Sequence, residues 1–328
     1  MSEAIVKTEI GPDKCAVVFV NYNTSDQIIE AIRSLASEPV GKIVVVDNAS
    51  PLDKPEIIKD VFPEVVLIKL AHNVGFGEGC NAGANWVLQH TDLPYIFFLN
   101  PDTRVEPGCV DLLIRRFTDP GVGAVVPRIT TMGVAPTLWY GGGYMNWWKG
   151  SASVPGFAGP VDSELALLER DVEFASGCAL ILSREVLVRC GGFDSRYFMY
   201  EEDVELSLRI ISCGFRIRYA PDSIVRHACQ GSLVGQGNEV ERGILNPRNP
   251  KLPFYVEMIA RNRWYTVWKH GGVLNKMQYL IIGTLWWMYR AITFMRNRRS
   301  DAVVALVRGW IEGLRSRTIE EVSDGRAA

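Results

Sequence analysis

CAVVFVNYN (15–23) and KIVVVDN (42–48) decide the fold. Each is a run of consecutive apolar residues, rich in Val and Ile, that stops on polar ones. Such runs read as strands buried on both faces, the pattern of a parallel sheet covered by helices. Between them Ser25 can cap a helix through about Ser37, with Ile28, Ile29, Ile32 and Leu35 on one face. Outward along the chain, VVLIKL (65–70), YIFFLN (95–100) and VGAVVP (122–127) continue the strand series, and Gly77 to Gln89 reads as a helix of small residues. The expectation is an α/β fold with a mostly parallel central sheet and flanking helices. Ligands of such sheets sit beyond the carboxyl ends of the strands. Those ends carry Asn21-Tyr22-Asn23, Asp47-Asn48 and Asn100-Pro101-Asp102. Asn, Asp and Pro also make good turns, but here three polar clusters leave three strands on the side where a ligand belongs.

The second half is less regular. LWYGGGYMNWWKG (138–150) leads into a Pro/Gly-rich loop, and EFASGCALILS (173–183) reads as a strand. EDVELSLRIISCG (202–214) reads as an amphipathic helix with Leu206, Ile210 and Ile211 inward and Gly214 at its end. FRIRYAP (215–221) and SIVRH (223–227) read as strands at the sheet edge.

The bulk numbers exclude several classes. A chain of 328 residues that is 48% hydrophobic, 22% charged and of net charge −2 is an ordinary globular protein with no overall nucleic-acid signature. The first ten residues, MSEAIVKTEI, hold no apolar leader, and the seven cysteines form no CxxC pair, which points to a reducing cytoplasm. Charge is uneven, however. Between Tyr255 and Arg317 stand eleven Lys/Arg against three Asp/Glu (11 − 3 = +8), with five of the nine tryptophans. The segment QYLIIGTLWWMYRAITFM (278–295) is apolar but interrupted by Arg290. A spanning helix needs about 20 apolar residues, so a helix lying in an anionic membrane interface fits it better. A second copy of the chain is the alternative partner for these helices.

Four constellations carry chemistry. Asp102, at a strand end, suits a hard cation such as Mg2+ or Mn2+, which takes oxygen ligands together with substrate phosphates. His227, closing SIVRH, could complete that metal site. Glu201, Glu202, Asp203 and Glu205 crowd a helix start after Phe193-Asp194 and Tyr200, where acids favour the helix dipole but can also supply a general base. NVGFGEGCN (73–81) places glycines at a helix entrance where phosphate is attracted, yet Cys80 stands where a dinucleotide fingerprint needs its third glycine.

Taken in order, VVFVNYN (17–23), VVVDNAS (44–50), NVGFGEGCN (73–81), FFLNPDT (97–103), FASGCALILSR (174–184), GGFDSRYFMYEEDVELSLR (191–209) and RHACQGS (226–232) make the chain resemble glycosyltransferase family 2, in its rhamnosyltransferase-like branch. The resemblance spans roughly the first 230 residues. It implies a GT-A fold with a donor-binding part at about 15–128 and an acceptor-binding part at about 129–250, and the composition shift sets off a basic, Trp-rich helical tail at 251–328. The resemblance implies an inverting transfer from a dTDP- or UDP-linked sugar to a glycan or polyprenyl-linked acceptor at the inner face of the cell membrane. Asp47 matches the acid that reads the base, with Asn21 and Asn23 nearby. Asn73, Gly75 and Asn81 match the loop on the nucleotide, and Asn100 stands where the family's first metal-binding acid usually stands. Asp102 matches the last of those acids, which makes His227 more important to the metal. Asp203 matches the base, with Glu202 beside it; Asp194, Trp139 and Tyr200 are the acceptor-side candidates. On this reading, cutting the chain after about residue 255 leaves the catalytic domain folded. A nucleotidyltransferase that makes the donor would need a basic Gly-rich signature near the N-terminus, which VVFVNYN lacks. A scaffold without activity would be marked by loss of the acids, but Asp47, Asp102 and Asp203 are all present.

Overall fold

The computed structural model describes residues 14–228 and 244–324, with side chains through residue 315. The elements in order are β1 (Cys15–Asn21), α1 (Ser25–Ser34), β2 (Val40–Asp47), α2 (Glu56–Val61), β3 (Val66–Lys69), α3 (Phe76–His90), β4 (Tyr95–Leu99), β5 (Thr103–Val105), α4 (Cys109–Arg115), β6 (Val122–Thr131), β7 (Leu138–Tyr140), β8 (Tyr144–Asn146), β9 (Ser151–Ser153), α5 (Glu164–Leu167), β10 (Arg170–Val172), β11 (Ala179–Ser183), α6 (Arg184–Cys190), α7 (Glu202–Ser212), β12 (Arg216–His227), α8 (Leu252–His270), α9 (Val273–Gln278), α10 (Thr284–Arg296) and α11 (Ser300–Asp324).

The main sheet runs β10-β12-β6-β11-β4-β1-β2-β3. From β3 to β4 it is parallel, as the apolar runs imply. Beyond β4 it is mixed, because β11 lies antiparallel to both β4 and β6 while β6 and β12 are parallel. β1 is buried along its whole length. Gly83 lets α3 lie directly on it, since a Cβ there would come within 2.4 Å of Val18. The sheet and its helices share one apolar core from Cys15 to Val225.

Several sequence-based boundaries shift. The first helix stops at Ser34, and Ser25 is its first residue instead of its cap. Asp53 Oδ2 accepts from Ser25 N at 2.8 Å and Asn21 Oδ1 accepts from Thr24 N at 3.0 Å, so the helix start is held by more distant side chains. Only Ala179–Ser183 of the stretch 173–183 is strand, because Ser176-Gly177 turns towards α7. Ile211 is 38% exposed, leaving Leu206, Ser207 and Ile210 as the inward face of α7. The two supposed edge strands are one strand, β12, lying inside the sheet. Pro221 and Asp222 are absorbed as a register shift between Ala220 and Ile224.

The tail helices pack on one another and on the catalytic half. α8 packs along α11, where a Cβ on Gly309 would fall 2.3 Å from Glu257 O, and Trp264 meets Trp268, Tyr279 and Trp310 in one aromatic cluster. α8 also docks on the catalytic half. Arg261 and Asn262 donate to Tyr197 O, Arg263 to Glu201, and Lys269 to Asp194 and Glu205. A cut near residue 255 would strip these donors from their acceptors on the catalytic half. Part of the +8 balance is likewise turned inward. Arg290 donates to Leu245 O and Arg299 to Asn249 O, while Trp264 and Trp287 are each 2% exposed. Among the described residues no helix is long and apolar enough to cross a membrane.

Candidate active site

At the carboxyl ends of β1 and β2, Asn21 is fully buried. Its Nδ2 lies 2.9 Å from Asp47 Oδ1, 3.1 Å from Ser25 Oγ and 3.2 Å from Asp53 Oδ2, so its two N–H groups are shared among them. Asn21 therefore fixes Asp47. Asn23, at φ 60, ties this turn to the next loop by accepting from Leu52 N at 2.9 Å. Asp53 escapes sequence reasoning, because nothing about a lone acid after Pro51 marks it. Burial pushes its carboxyl up, but hydrogen bonds from Ser25, Asn21 and Lys54 outweigh that and leave it below the usual carboxylate range. Asn48, in the sequence one member of a polar cluster, builds the adjoining loop. It donates to Asn73 Oδ1 and Gly75 O, both at 3.0 Å, and accepts from Val74 N at 2.9 Å.

Gly75 carries a second constraint. Its φ is +88°, and a Cβ would lie 2.2 Å from Phe198 O, whose partner is Phe76 N at 2.8 Å. The 73–77 loop is thereby joined to the turn before α7. Asn81 reinforces this from behind, accepting from Phe193 N at 2.7 Å and donating to Phe193 O at 2.8 Å. Its amide grips protein backbone at both ends.

At the other end, the antiparallel register of β12 and β5 sets His227 opposite Thr103. His227 Nε2 lies 3.1 Å from Asp102 Oδ1, and both residues are more than nine-tenths buried. Trp139 stands edge-on to the His227 ring at 4.7 Å, so it walls this pair. Among the described residues no third His, Cys, Asp or Glu completes a cluster. An oxygen and an imidazole nitrogen converging at a strand end fit a divalent cation whose remaining ligands are phosphate oxygens and water. Asn100 joins the two ends of the site, because its N donates to Cys178 O at 2.9 Å beside Gly177.

The acids follow a strained turn. Phe198, Tyr200 and Glu201 have φ of 58°, 68° and 66°, a left-handed conformation costing about 1–3 kcal/mol per non-glycine residue. Of the four acids, two are engaged elsewhere. Glu201 accepts from Ser151 Oγ at 2.7 Å and Arg263 Nε at 3.0 Å. Glu205 is fully buried; burial raises its carboxyl, but His270, Arg209 and Lys269 bring it down to about 2. That leaves Glu202 and Asp203. Burial, helped by the charge of Asp203, pushes Glu202 well above the usual range, and its Oε2 has no hydrogen-bond partner. Burial also lifts Asp203, to about 6, against the pull of the Gly177 N–H at 3.0 Å and the Val204 N–H at 2.9 Å. With two N–H donors on it, Asp203 ionises first and Glu202 keeps its proton.

Two acceptor-side candidates, Asp194 and Tyr200, have partners on α8 or beside it. Asp194 accepts from Arg196 and from Lys269 Nζ at 2.9 Å; burial raises its carboxyl but these cations hold it far below the usual range. Tyr200 packs edge-on against Tyr255 at 5.4 Å, and burial raises its phenol. Both join α8 to the catalytic half.

An acid pair at the start of α7 and a strand-end Asp–His pair agree with comparison against known proteins, in which residues 16–189 match glycosyl transferase family 2. The chain belongs to that family. The transferase is 29% identical, over 66% of its own length and 76% of the relative's, to the N-acetylglucosaminyl-diphospho-decaprenol L-rhamnosyltransferase of Mycobacterium tuberculosis, which places it in the rhamnosyltransferase-like branch. It is 21% identical, over 93% of its length and 92% of the relative's, to the low-salt glycan biosynthesis hexosyltransferase of Haloferax volcanii, so that match takes in the C-terminal helices. In fold the transferase is similar to GalNAc-T7 crystallised with UDP, GalNAc and Mn2+, at TM-score 0.55 and 17% identity. The match covers 79% of this chain but spans only half the length of that one. The fold is GT-A, as the sequence implied.

Proposed function

We infer that the transferase moves a hexose, rhamnose being the leading candidate, from a dTDP- or UDP-linked donor to a polyprenyl-linked or polysaccharide acceptor in cell-envelope glycan synthesis, with inversion. The observation that carries this is Asp203: a carboxylate raised by burial, held by Gly177 N–H and linked through Cys178 to the Asn100-Pro101-Asp102 turn. Inversion needs one in-line displacement at the anomeric carbon. Asp203 takes the acceptor hydroxyl proton as the new bond forms. Glu202, still protonated, adds no second negative charge beside it. Asp47, steadied by Asn21, faces the base of the nucleotide, and the Asn73–Gly75 loop lies along it. Asp102 and His227 hold Mg2+ or Mn2+, which when bound neutralises charge on the leaving diphosphate. The test is hydrolysis and transfer across a panel of UDP-, dTDP- and GDP-sugars with Mg2+ or Mn2+. Turnover of dTDP-rhamnose above the others supports the reading, and no turnover of any sugar nucleotide overturns it.

The site works at the cytoplasmic face of a membrane, docked by α9 and α10. The segment 273–298 contains no acid, carries Lys276, Arg296 and Arg298, and exposes Leu274 (75%), Ile281 (60%), Leu285 (59%) and Met288 (57%). Apolar side chains, more than the basic count or the tryptophans, would make the contact. The protein should therefore sediment with phosphatidylethanolamine–phosphatidylglycerol vesicles, and raising salt beyond screening should release only part of it. Leu285→Asp with Met288→Asp should cut partitioning at least about ten-fold, since each buried apolar side chain is worth about 1.5–3 kcal/mol. A concentration-dependent dimer that ignores vesicles would assign the face to a second copy of the chain.

A further inference from the structure

The turn that launches α7 is held from outside the catalytic half. Asn262, on α8, is fully buried, and its Nδ2 shares its two N–H groups among three carbonyls of that turn: Tyr197 O at 2.9 Å, Met199 O at 2.9 Å and Tyr200 O at 2.8 Å. Its Oδ1 is fixed in turn by Arg261 Nε at 2.9 Å, and Arg261 Nη2 reaches Tyr197 O at 3.0 Å. The residues between and after those carbonyls, Phe198, Tyr200 and Glu201, are the ones at positive φ. Buried carbonyls must find donors, and left-handed non-glycine residues persist only where their surroundings fix them. One side chain does both here. On the far side of the same turn, Phe198 O takes the Phe76 N–H of the nucleotide-side loop.

We propose that Asn262 is a positioning residue for the transfer step: by gripping the Tyr197–Tyr200 carbonyls it sets the start of α7, and with it the acid pair Glu202–Asp203, against the 73–77 loop. The proposal rests on the reading of that pair as the base, but it concerns geometry and holds whichever of the two acids takes the proton. Asn262 touches neither acid. Thr266, one turn further along α8, supplies a control. Its Oγ1 lies 3.0 Å from Tyr197 Oη and it is equally buried, yet it touches none of the three carbonyls.

The experiment measures kcat and donor KM, with Mn2+, for Asn262→Ala, the isosteric Asn262→Asp, Thr266→Val and Asp203→Asn, using whichever sugar nucleotide of the panel the native chain turns over fastest. Thermal melting is recorded for each. Misplacing a reacting group by about 1 Å can cost roughly a hundred-fold. Both Asn262 variants should therefore lose about ten- to a hundred-fold in kcat at nearly unchanged KM, while Thr266→Val melts lower and keeps its kcat. Native kcat in a folded Asn262 variant overturns the proposal. So does a kcat loss in Thr266→Val that matches the Asn262 variants at equal melting shift, or failure of both Asn262 variants to fold, because each assigns the residue to stability alone. An active Asp203→Asn with slow Asn262 variants removes the base assignment and leaves the positioning role standing.

Discussion

Replacing Asp203 by Asn lowers transfer by about 10²–10⁴-fold, the usual contribution of a positioned general base, and leaves nucleotide affinity nearly unchanged. The substitution keeps the shape of the side chain, and an amide oxygen can still accept from Gly177 N, so the start of α7 is preserved. Glu202→Gln should retain most activity, because Glu202 already carries its proton. The pH profile supplies an independent check. The base must be ionised to act, so kcat/KM should climb as pH rises through about 6 and level off above it. Stability runs the other way for Glu202. Its folded pKa is raised, so above the ordinary carboxylate range the folded state holds a proton that the unfolded chain releases, and stability falls as pH rises. Glu202→Gln should remove that slope and melt above the native chain by a margin that widens from pH 4 to pH 7. Near-normal turnover by Asp203→Asn with an inactive Glu202→Gln would move the base to Glu202.

Chelation should stop the reaction. Excess EDTA, or Asp102→Ala, should reduce transfer by about 10²–10³-fold, because a bound cation supplies several kcal/mol of charge stabilisation on the departing diphosphate. Asp102 contributes the only carboxylate of the Asn-Pro-Asp turn, so its loss should exceed that of His227→Ala. The His227 variant should recover partly as Mn2+ is raised, since a weakened site fills at higher metal. The measurement is a Mn2+ titration of donor hydrolysis for the three proteins. Full activity in excess EDTA would remove the metal from the mechanism.

What the sequence made legible is what strands and turns write in consecutive residues. β1, β2 and β4 are readable because burial on both faces demands unbroken apolar runs, and the polar residues that end them are the site's rim. β12 was misread because Pro221 looks like a stop; proline lacks only one donor, and a register shift beside it lets the strand continue. The acid cluster at the start of α7 is legible in the sequence, but which acid keeps the proton is not, because that depends on the Gly177 N–H arriving from 26 residues away. The inward-turned charges of the tail are hidden for a related reason. Composition counts Arg261, Arg263, Lys269 and Arg299 as surface charge, whereas the fold points them at buried carbonyls and acids. Asn81 and Asn21 are instructive in the same way: both sit beside the site and work on protein groups.

The grip of α8 on the Tyr197–Glu201 turn has a consequence for synthesis. A ribosome delivers Asp47, Asp102, Glu202 and Asp203 well before Asn262, Arg263 and the α11 surface on which α8 lies. A nascent chain that has emerged as far as β12 thus holds the catalytic acids in sequence but not in place. Turnover should begin only once the last helices are free to fold back, so activity and the exposed apolar face of α9 and α10 arise in the same late event.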